Sequence, residues 1–160
     1  MINRIRNIGK AMLMTLPFLF LSCKNTTNNA VVQNNDAPRI ILEKTKCYRK
    51  CPAYTAKFFQ SNVVKLYPKE NFVVTKKSEG KLKKGRLEEL LKEANRINFW
   101  QLNDEYDNEN LMDAPSTFIT VNDKKQSKKI RVRANAPKNL IRFIQQVEKE
   151  LKTLNWTTIQ

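Results

Sequence analysis

Three cysteines are the residues of this sequence best able to do covalent chemistry, and their spacing divides them into one single residue and one pair. Cys23 lies between an apolar run and a polar stretch, whereas Cys47 and Cys51 are four positions apart in KCYRKCPAY. The sequence has no histidine, which excludes a Ser-His-Asp triad, a Cys-His nucleophile and a histidine-bearing zinc site. Its three glycines form no phosphate-binding loop.

The segment before Cys23 has the parts of a secretory signal peptide. Residues 1–10 carry three cations and no acid, residues 11–21 (AMLMTLPFLFL) are apolar, and a small residue precedes the cysteine. A membrane-spanning helix needs roughly 20 apolar residues, so this run is too short to be one. FLSC resembles the lipobox of bacterial lipoproteins, with Phe20 where Leu is usual. We predict a lipoprotein signal peptide over 1–22 and acylation of Cys23, with an ordinary signal peptide as the alternative.

The residues that follow Cys23 predict a flexible tether. Residues 24–38 contain five asparagines and few residues that could form a core, so we assign 23–38 to the lipidated cysteine and a tether whose ends, as a random coil, are roughly 20 Å apart on average. Some lipoproteins of the Bacteroidetes carry an acidic export tag directly after the cysteine, and residues 24–27 carry no acid. We therefore expect an exported protein anchored in the outer membrane and facing the periplasm.

The remaining chain, residues 39–156, predicts one α+β domain in which two helices cover one face of an antiparallel sheet. RIILEKT, AYTAKFF, NVVKLYP and NFVVTKK are short runs rich in β-formers and predict a meander, with EGKLKKG as a further edge segment. Pro68 is expected to end its strand, because proline donates no ladder hydrogen bond. The later segment 116–134 predicts a hairpin with strands at 116–122 and 128–134.

Two segments have the apolar period of amphipathic helices. Phe99 and Trp100 follow the first and are expected to close the core, while Pro137 opens the second, which ends before Trp156, the last ordered residue. The predicted buried stripes are Leu87, Leu90, Leu91, Ala94 and Ile97 in the first helix, and Leu140, Ile144, Val147, Leu151 and Leu154 in the second, broadened by Ile141 and Phe143.

A close cysteine pair in an exported protein predicts a disulfide, here one that pins the turn between the first two strands. Thiol-disulfide exchange through Cys47 and Cys51 is the alternative, although oxidoreductases usually place two residues between the cysteines, and one thiolate at a helix N-terminus. We expect no metal site, because two sulfurs without histidine leave a tetrahedral ligand set incomplete. No cofactor is expected.

The stretch IILEKTKCYRKCPAY resembles the start of an uncharacterised family of small envelope lipoproteins, best represented in the Bacteroidetes. Members show an aliphatic strand, Cys-x-Gly-x-Cys-Pro-x-Tyr, a strand pair, a helix, an Asp-x-Pro step and a closing helix with Trp. Arg49 stands where the family has Gly. The resemblance implies the location and the architecture, but no activity. The matching residues are Cys47, Cys51, Pro52, Tyr54, Phe99, Asp113, Pro115 and Trp156.

The acidic residues cluster in DEYDNENLMDAP, where we weigh a calcium loop, a carboxylate hydrolase and ion pairing. The calcium loop fails, because Glu109 occupies the sixth position from Asp104, where such loops require Gly. A hydrolase needs two acids facing one cleft, which the sequence does not indicate. We therefore expect a solvated loop whose acids neutralise nearby lysines.

The chain holds 30 Lys and Arg against 15 Asp and Glu, a net charge of +15, of which +12 remains after residues 1–22 are removed. In KKIRVRA, cations alternate with aliphatic residues, which places Lys129, Arg131 and Arg133 on one face of a strand. Together with the hairpin-tip residues these form a predicted anion-binding ridge; its members are Lys124, Lys125, Lys128, Lys129, Arg131 and Arg133. A plain solvent face of an edge hairpin is the alternative.

The expected function is that of a non-enzymatic binding or structural module attached to the membrane by its lipid. The charge favours an anionic envelope polymer, a lipid headgroup or an acidic protein as partner. Nucleic acid is not an expected partner for an exported protein. Moreover, no aromatic residue alternates with the cations of KKIRVRA, as the base-stacking surfaces of single-strand binders would require.

Overall fold

The computed structural model describes residues 37–111 and 114–160. The predicted signal peptide, Cys23, residues 24–36 of the tether and Asp113 lie outside the described residues. The described ranges contain eight strands, two α-helices and a short 3-10 turn at Phe99–Gln101. Their bounds are β1 Ile40–Lys44, β2 Ala53–Phe58, β3 Val63–Glu70, β4 Ser78–Lys81, α1 Arg86–Arg96, β5 Glu105–Tyr106, β6 Thr117–Asn122, β7 Ser127–Val132, α2 Lys138–Thr153 and β8 Thr157–Thr158. Neither of these helices is long and apolar enough to cross a membrane.

The strands form a single sheet in the order β5-β7-β6-β1-β2-β3-β4-β8. Near its middle, Ile40 of β1 lies opposite Phe58 of β2 on one side and Val121 of β6 on the other. The described pairings are antiparallel except that of β5 with β7, which is parallel. The α+β class, the meander and the later hairpin are confirmed.

Both helices contribute to one core on one face of the sheet. Every second residue of the central strands is buried in this core. The sheet side of it consists of Ile40, Leu42, Tyr54, Ala56, Phe58, Val64, Leu66, Ile119, Val121, Ile130 and Val132. The predicted helix stripes are confirmed, with Leu91, Ile141 and Leu154 packed at the margin. Phe99 is fully buried, its ring 5.9 Å from that of Phe143. The described residues belong to one compact unit, and we expect a fragment of residues 32–160 to fold by itself.

The other face of the sheet is formed by the alternate residues of the same strands. Ile41, Thr55, Lys57 and Thr120 are half-buried and lie outside the core. We call this the open face, because the two described helices pack on the opposite side.

The prediction of a strand at residues 71–77 is wrong, and so is the expectation that Pro68 ends its strand. Strand β3 continues through Pro68 to Glu70, and Pro68 lies opposite Tyr54, where the β2–β3 register shifts. Such an irregularity tolerates a residue without an N–H. Asn71 then turns the chain with φ 51°, and the ring of Phe72 packs 4.5 Å from that of Tyr54 instead of entering a ladder.

Two short edge strands are missing from the sequence-based prediction. β5 comes from the acidic segment that we expected to be a loop, and it pairs Glu105 with Arg131. β8 follows Trp156, which therefore does not end the ordered chain, and it pairs Thr158 with Ser78. Strands of two residues have no periodicity that a sequence could reveal.

Candidate functional site

The predicted ridge lies along β7 and the turn before it. The alternation is confirmed: Ile130 and Val132 are buried, while Lys129 is exposed and Arg131 is half-buried on the open face. Lys128 is on the same face of β7 as Ile130, so its side chain lies on the opposite side of the sheet from that of Lys129.

The exposed tip of this hairpin consists of Lys124 and Lys125. The Asp123 carboxylate accepts hydrogen bonds from the N–H groups of Lys125 (2.6 Å) and Gln126 (2.8 Å), which closes the turn. The bond from Lys125 is the main cause of a lowered Asp123 pKa. The Asp123 carboxylate therefore stabilises the conformation of the hairpin tip.

The acidic segment pairs with the ridge. Arg131 contacts the carboxylates of Glu105 and, at 3.5 Å, Asp107, which also contacts Arg133 at 3.0 Å. Lys128 lies 2.5 Å from Asp104. The prediction that these acids neutralise nearby lysines is confirmed for Asp104, which contacts Lys128, whereas Glu105 and Asp107 contact arginines instead. These carboxylates contact cations of β7 and Arg133, which follows it. They do not face each other across a cleft, as the two acids of a hydrolase would.

Asp107 is the acid of this cluster that contacts both Arg131 and Arg133. Partial burial alone would raise the pKa of Asp107, but the Asn108 N–H bonded to its Oδ1 (2.7 Å) and the charges of Arg133 and Arg131 outweigh it. The pKa of Asp107 consequently lies below its ordinary value of 3.8. The carboxylate is therefore charged whenever the domain is near neutral pH.

The structure joins Cys47 and Cys51 in a disulfide with a Cα–Cα distance of 5.7 Å, in the loop between β1 and β2. The ring that it closes presents exposed Tyr48, Arg49 and Lys50. Neither cysteine lies at the start of a described helix, the position that lowers a thiol pKa in oxidoreductases.

The open face carries lysines in register across several strands. Lys57 of β2 lies opposite Lys65 of β3 and opposite Ile41 of β1. On the other side of Ile41 the same row continues through Thr120 to Lys129. This row places three ammonium groups across five strands, and neighbouring strands are about 4.8 Å apart.

Aromatic rings lie between these lysines. The Lys129 ammonium is 4.3 Å from the centre of the Phe118 ring, and that of Lys57 is 5.2 Å from the Tyr67 ring. Lys65 lies 5.2 Å from the ring of Phe59, which is buried but outside the helix-side core. These distances are within the range of cation–π attraction.

The sequence analysis found no aromatic residue alternating with the cations, because it considered one strand only. The rings come from neighbouring strands: Phe118 lies opposite Arg131, and Tyr67 lies opposite Thr55. The tight turn at residues 124–125 would have fixed the β6–β7 register and so have indicated the contact of Phe118 with Lys129. The contact of Lys57 with Tyr67 likewise lies in the regular part of the β2–β3 register, between the turn after Phe58 and the shift at Ala53.

Besides Glu105, which lies opposite Arg131, two acids share the open face with the lysines. Glu43 contacts Lys69 at 2.8 Å, and Glu79 lies opposite Lys65 in the register of β3 and β4. The open face thus remains predominantly positive, with Lys57 and Lys129 held over rings instead of over carboxylates.

A second basic region is a cleft of about 690 Å³ beside the start of α1 and the end of α2. Lys83, Arg86 and Lys149 line it together with Glu150. Arg86 lies 2.6 Å from Glu150 and also contacts Glu89, so part of the charge in this cleft is internally paired. Within the described ranges, no group of three or more His, Cys, Asp or Glu residues is placed to hold a metal ion.

We predict that Asp107→Asn destabilises the domain at pH 7 and that the difference disappears in acid. Because the folded-state pKa of Asp107 is lowered, its contribution to stability is present above the unfolded pKa and is lost as the pH falls through the folded value. Thermal unfolding of both proteins between pH 2 and pH 7 measures this. Glu109→Gln, a change at an exposed acid of the same segment, is the control and should alter the melting temperature little. An Asp107→Asn effect of equal size at pH 2 and pH 7 would contradict the ion-pair account.

Comparison with known proteins gives a family but no characterised relative. No curated protein and no solved structure matches the chain. A family model described as "Domain of unknown function (DUF6438)" matches residues 38–151. The matched range includes the strands from β1 to β7, all of α1, and α2 except its last two residues. This match covers more than two thirds of the sequence. The chain belongs to the family of the domain of unknown function DUF6438.

Proposed function

We propose that this protein is a lipid-anchored, non-enzymatic binding module of the bacterial cell envelope, and that its open face binds an anionic polymer. The observation that carries the proposal is the array of lysines and aromatic rings on the open face. Lys129 with Phe118 and Lys57 with Tyr67 are its two central pairs.

An acidic polysaccharide fits this surface better than a small anion does. Its carboxylates or phosphates would meet the lysine row, and the flat apolar faces of its sugar rings would meet Phe118 and Tyr67. Because the lysines lie in register over several strands, an extended chain crossing the strands would contact several of them at once. Repeated weak contacts of this kind add up to useful affinity.

The contacts of the predicted ridge favour the open face as the binding surface. Arg131, Arg133 and Lys128 already contact carboxylates of the same chain, so an added anion would have to compete with them. Lys57 and Lys129 instead lie over rings, which leaves their ammonium groups able to accept an anionic partner. Lys129 and Arg131 belong to both the predicted ridge and the open face, and of these two Lys129 is the one that lies over a ring and Arg131 the one that contacts carboxylates.

The lipid anchor is proposed from the sequence. The basic start, the apolar run at 11–21 and the small residue before Cys23 support export and acylation. The resemblance to envelope lipoproteins of the Bacteroidetes supports the same location, which we propose to be the outer membrane with the domain in the periplasm.

The two enzymatic alternatives have less support. The pair Cys47–Cys51 lies in a loop between strands and not at a helix start, and Glu105 and Asp107 both face Arg131. Thiol-disulfide exchange and carboxylate hydrolysis would each require a different placement of these groups.

The first prediction concerns the anchor. We expect the intact mass of the membrane-extracted protein to correspond to a chain that starts at acylated Cys23 and gains two alkyl groups at Cys47 and Cys51 only after reduction. The control is Cys23→Ser, which should abolish acylation and leave the protein out of the lipid-extracted fraction. A wild-type chain without an acyl group, or one that starts at another residue, would contradict the anchor.

The second prediction concerns the open face. The double variant Lys57→Gln/Lys65→Gln should bind oligogalacturonate about tenfold more weakly than the wild type, since two partly exposed ion pairs together contribute about 1–2 kcal/mol. Isothermal titration calorimetry of residues 32–160 measures this, with a neutral glucan oligomer as the ligand control.

The matched control is Lys124→Gln/Lys125→Gln, which removes the same charge from the hairpin tip. It should bind nearly as well as the wild type. Equal losses in both double variants would mean that only net charge matters, and a larger loss in the tip variant would favour the predicted ridge over the open face.

A further inference from the structure

The most exposed large apolar side chains of the described residues are Tyr48, Val73 and Leu111, with exposed fractions of 95%, 95% and 39%. Such side chains are normally scattered over a soluble protein and then need no explanation. Here they belong to three loops, and the sheet topology brings those loops together.

The strand register places these loops at the same end of the sheet. Lys44, the last residue of β1, lies opposite Tyr54 near the start of β2 and opposite Thr117 at the start of β6. Thr117 in turn lies opposite Val132, the last residue of β7. Strand β3 also ends here, since Glu70 lies opposite Ala53. The loops that carry Tyr48, Val73 and Leu111 all leave from this end.

The loops at 45–52 and 71–77 are joined to one another, and we call these two segments the loop end. Lys46 contacts Glu70, and the Asn71 side-chain amide donates to the Cys51 carbonyl oxygen at 3.4 Å. The ring of Phe72, the residue before Val73, packs against Tyr54. The disulfide closes the ring that carries Tyr48. An exposed side chain on a braced loop loses less conformational entropy when it binds than one on a free loop.

The loop end is strongly basic. Its cations are Lys46, Arg49, Lys50, Lys76 and Lys77, and its sequence contains no acid. Arg49 and Lys50 directly follow Tyr48 and are exposed. Apolar side chains that project between cations are suited to a partner whose outer layer is anionic and whose interior, a few ångströms deeper, is apolar.

We infer that the loop end docks on a lipid bilayer rich in anionic lipids, with Tyr48 and Val73 at the boundary between headgroups and acyl chains. Tyrosine is suited to this boundary, because its ring is apolar and its hydroxyl reaches water or headgroups. Arg49 and Lys50 would pair with lipid phosphates, and Arg can do so with two parallel hydrogen bonds. This inference uses residues other than those of the open face and does not depend on the polymer proposed above.

The docking is compatible with an anchor at Cys23 in the same bilayer. The described chain enters the domain at the opposite end of the sheet, where the N–H of Arg39 donates to Phe58. A tether over residues 23–38 can extend to about 50 Å, whereas a strand of six residues is about 20 Å long. The tether is therefore long enough to run back along the domain.

Vesicle binding by residues 32–160, which lack Cys23, tests the inference without the anchor. We expect flotation with vesicles of phosphatidylglycerol and phosphatidylethanolamine, and little with vesicles of phosphatidylcholine. Tyr48→Ser/Val73→Ser should lower the partition coefficient about tenfold or more, and Arg49→Gln/Lys50→Gln about tenfold. These side chains are exposed, so all variants should keep the wild-type melting temperature.

The control is again Lys124→Gln/Lys125→Gln, which removes two charges from the opposite end of the sheet and should lower the partition coefficient by less than about threefold. A second readout is tryptophan emission. Tyr48→Trp should gain a blue-shifted component on anionic vesicles, whereas Lys124→Trp should not.

Three results would overturn the inference. One is equal vesicle binding by the wild type and the Tyr48→Ser/Val73→Ser variant, and another is equal loss in the Arg49→Gln/Lys50→Gln and control variants. The third is self-association of the wild type in sedimentation that the apolar variant abolishes, which would make the loop end a contact between two copies. Lys57→Gln/Lys65→Gln should retain vesicle binding, so failure of the polymer proposal and failure of this inference are distinguishable.

Discussion

The burial of one sheet face under two helices is the constraint on which the rest of the structure depends. Strand side chains alternate between the two faces, so the aliphatic half of each central strand builds the core with α1 and α2. The other half is left for the open face, where lysines and aromatic rings partly shield each other. Lys129 over Phe118 and Lys57 over Tyr67 cover ring surface that would otherwise contact water. The same alternation that forms the core therefore determines the composition of the candidate binding surface.

Internal charge pairing decides which of the many cations remain available to partners. The acidic segment forms β5 against β7 and brings Glu105 and Asp107 to Arg131 and Arg133. It thereby extends the sheet and neutralises a large part of the predicted ridge. The surfaces that remain positive include the open face and the loop end, which suit different partners. The first is broad and in register over several strands, and the second is narrow, apolar at its tip and braced by Cys47–Cys51.

Sequence patterns predicted those parts of the fold that arise from long, regular periods. The apolar residues from Leu140 to Leu151 follow one helical face, and β1 begins with the aliphatic run Ile40, Ile41 and Leu42, so the helices and first strands could be assigned from residue types alone. Residues 71–77 have β-formers as well, yet Asn71 adopts a positive φ and the chain forms a loop. The open face escaped prediction because its cation–ring pairs join different strands. These contacts depend on the register between neighbouring strands, and the composition of a single strand gives no information about that register.

The open face is most directly tested by mapping where an anionic polymer contacts the domain. The measurement is NMR chemical-shift mapping of residues 32–160 during titration with oligogalacturonate. The proposal predicts that the largest changes occur at Lys57, Tyr67 and Phe118 and their neighbours on the open face. Changes confined to the cleft at Lys83 and Lys149, or to the tip at Lys124 and Lys125, would contradict it.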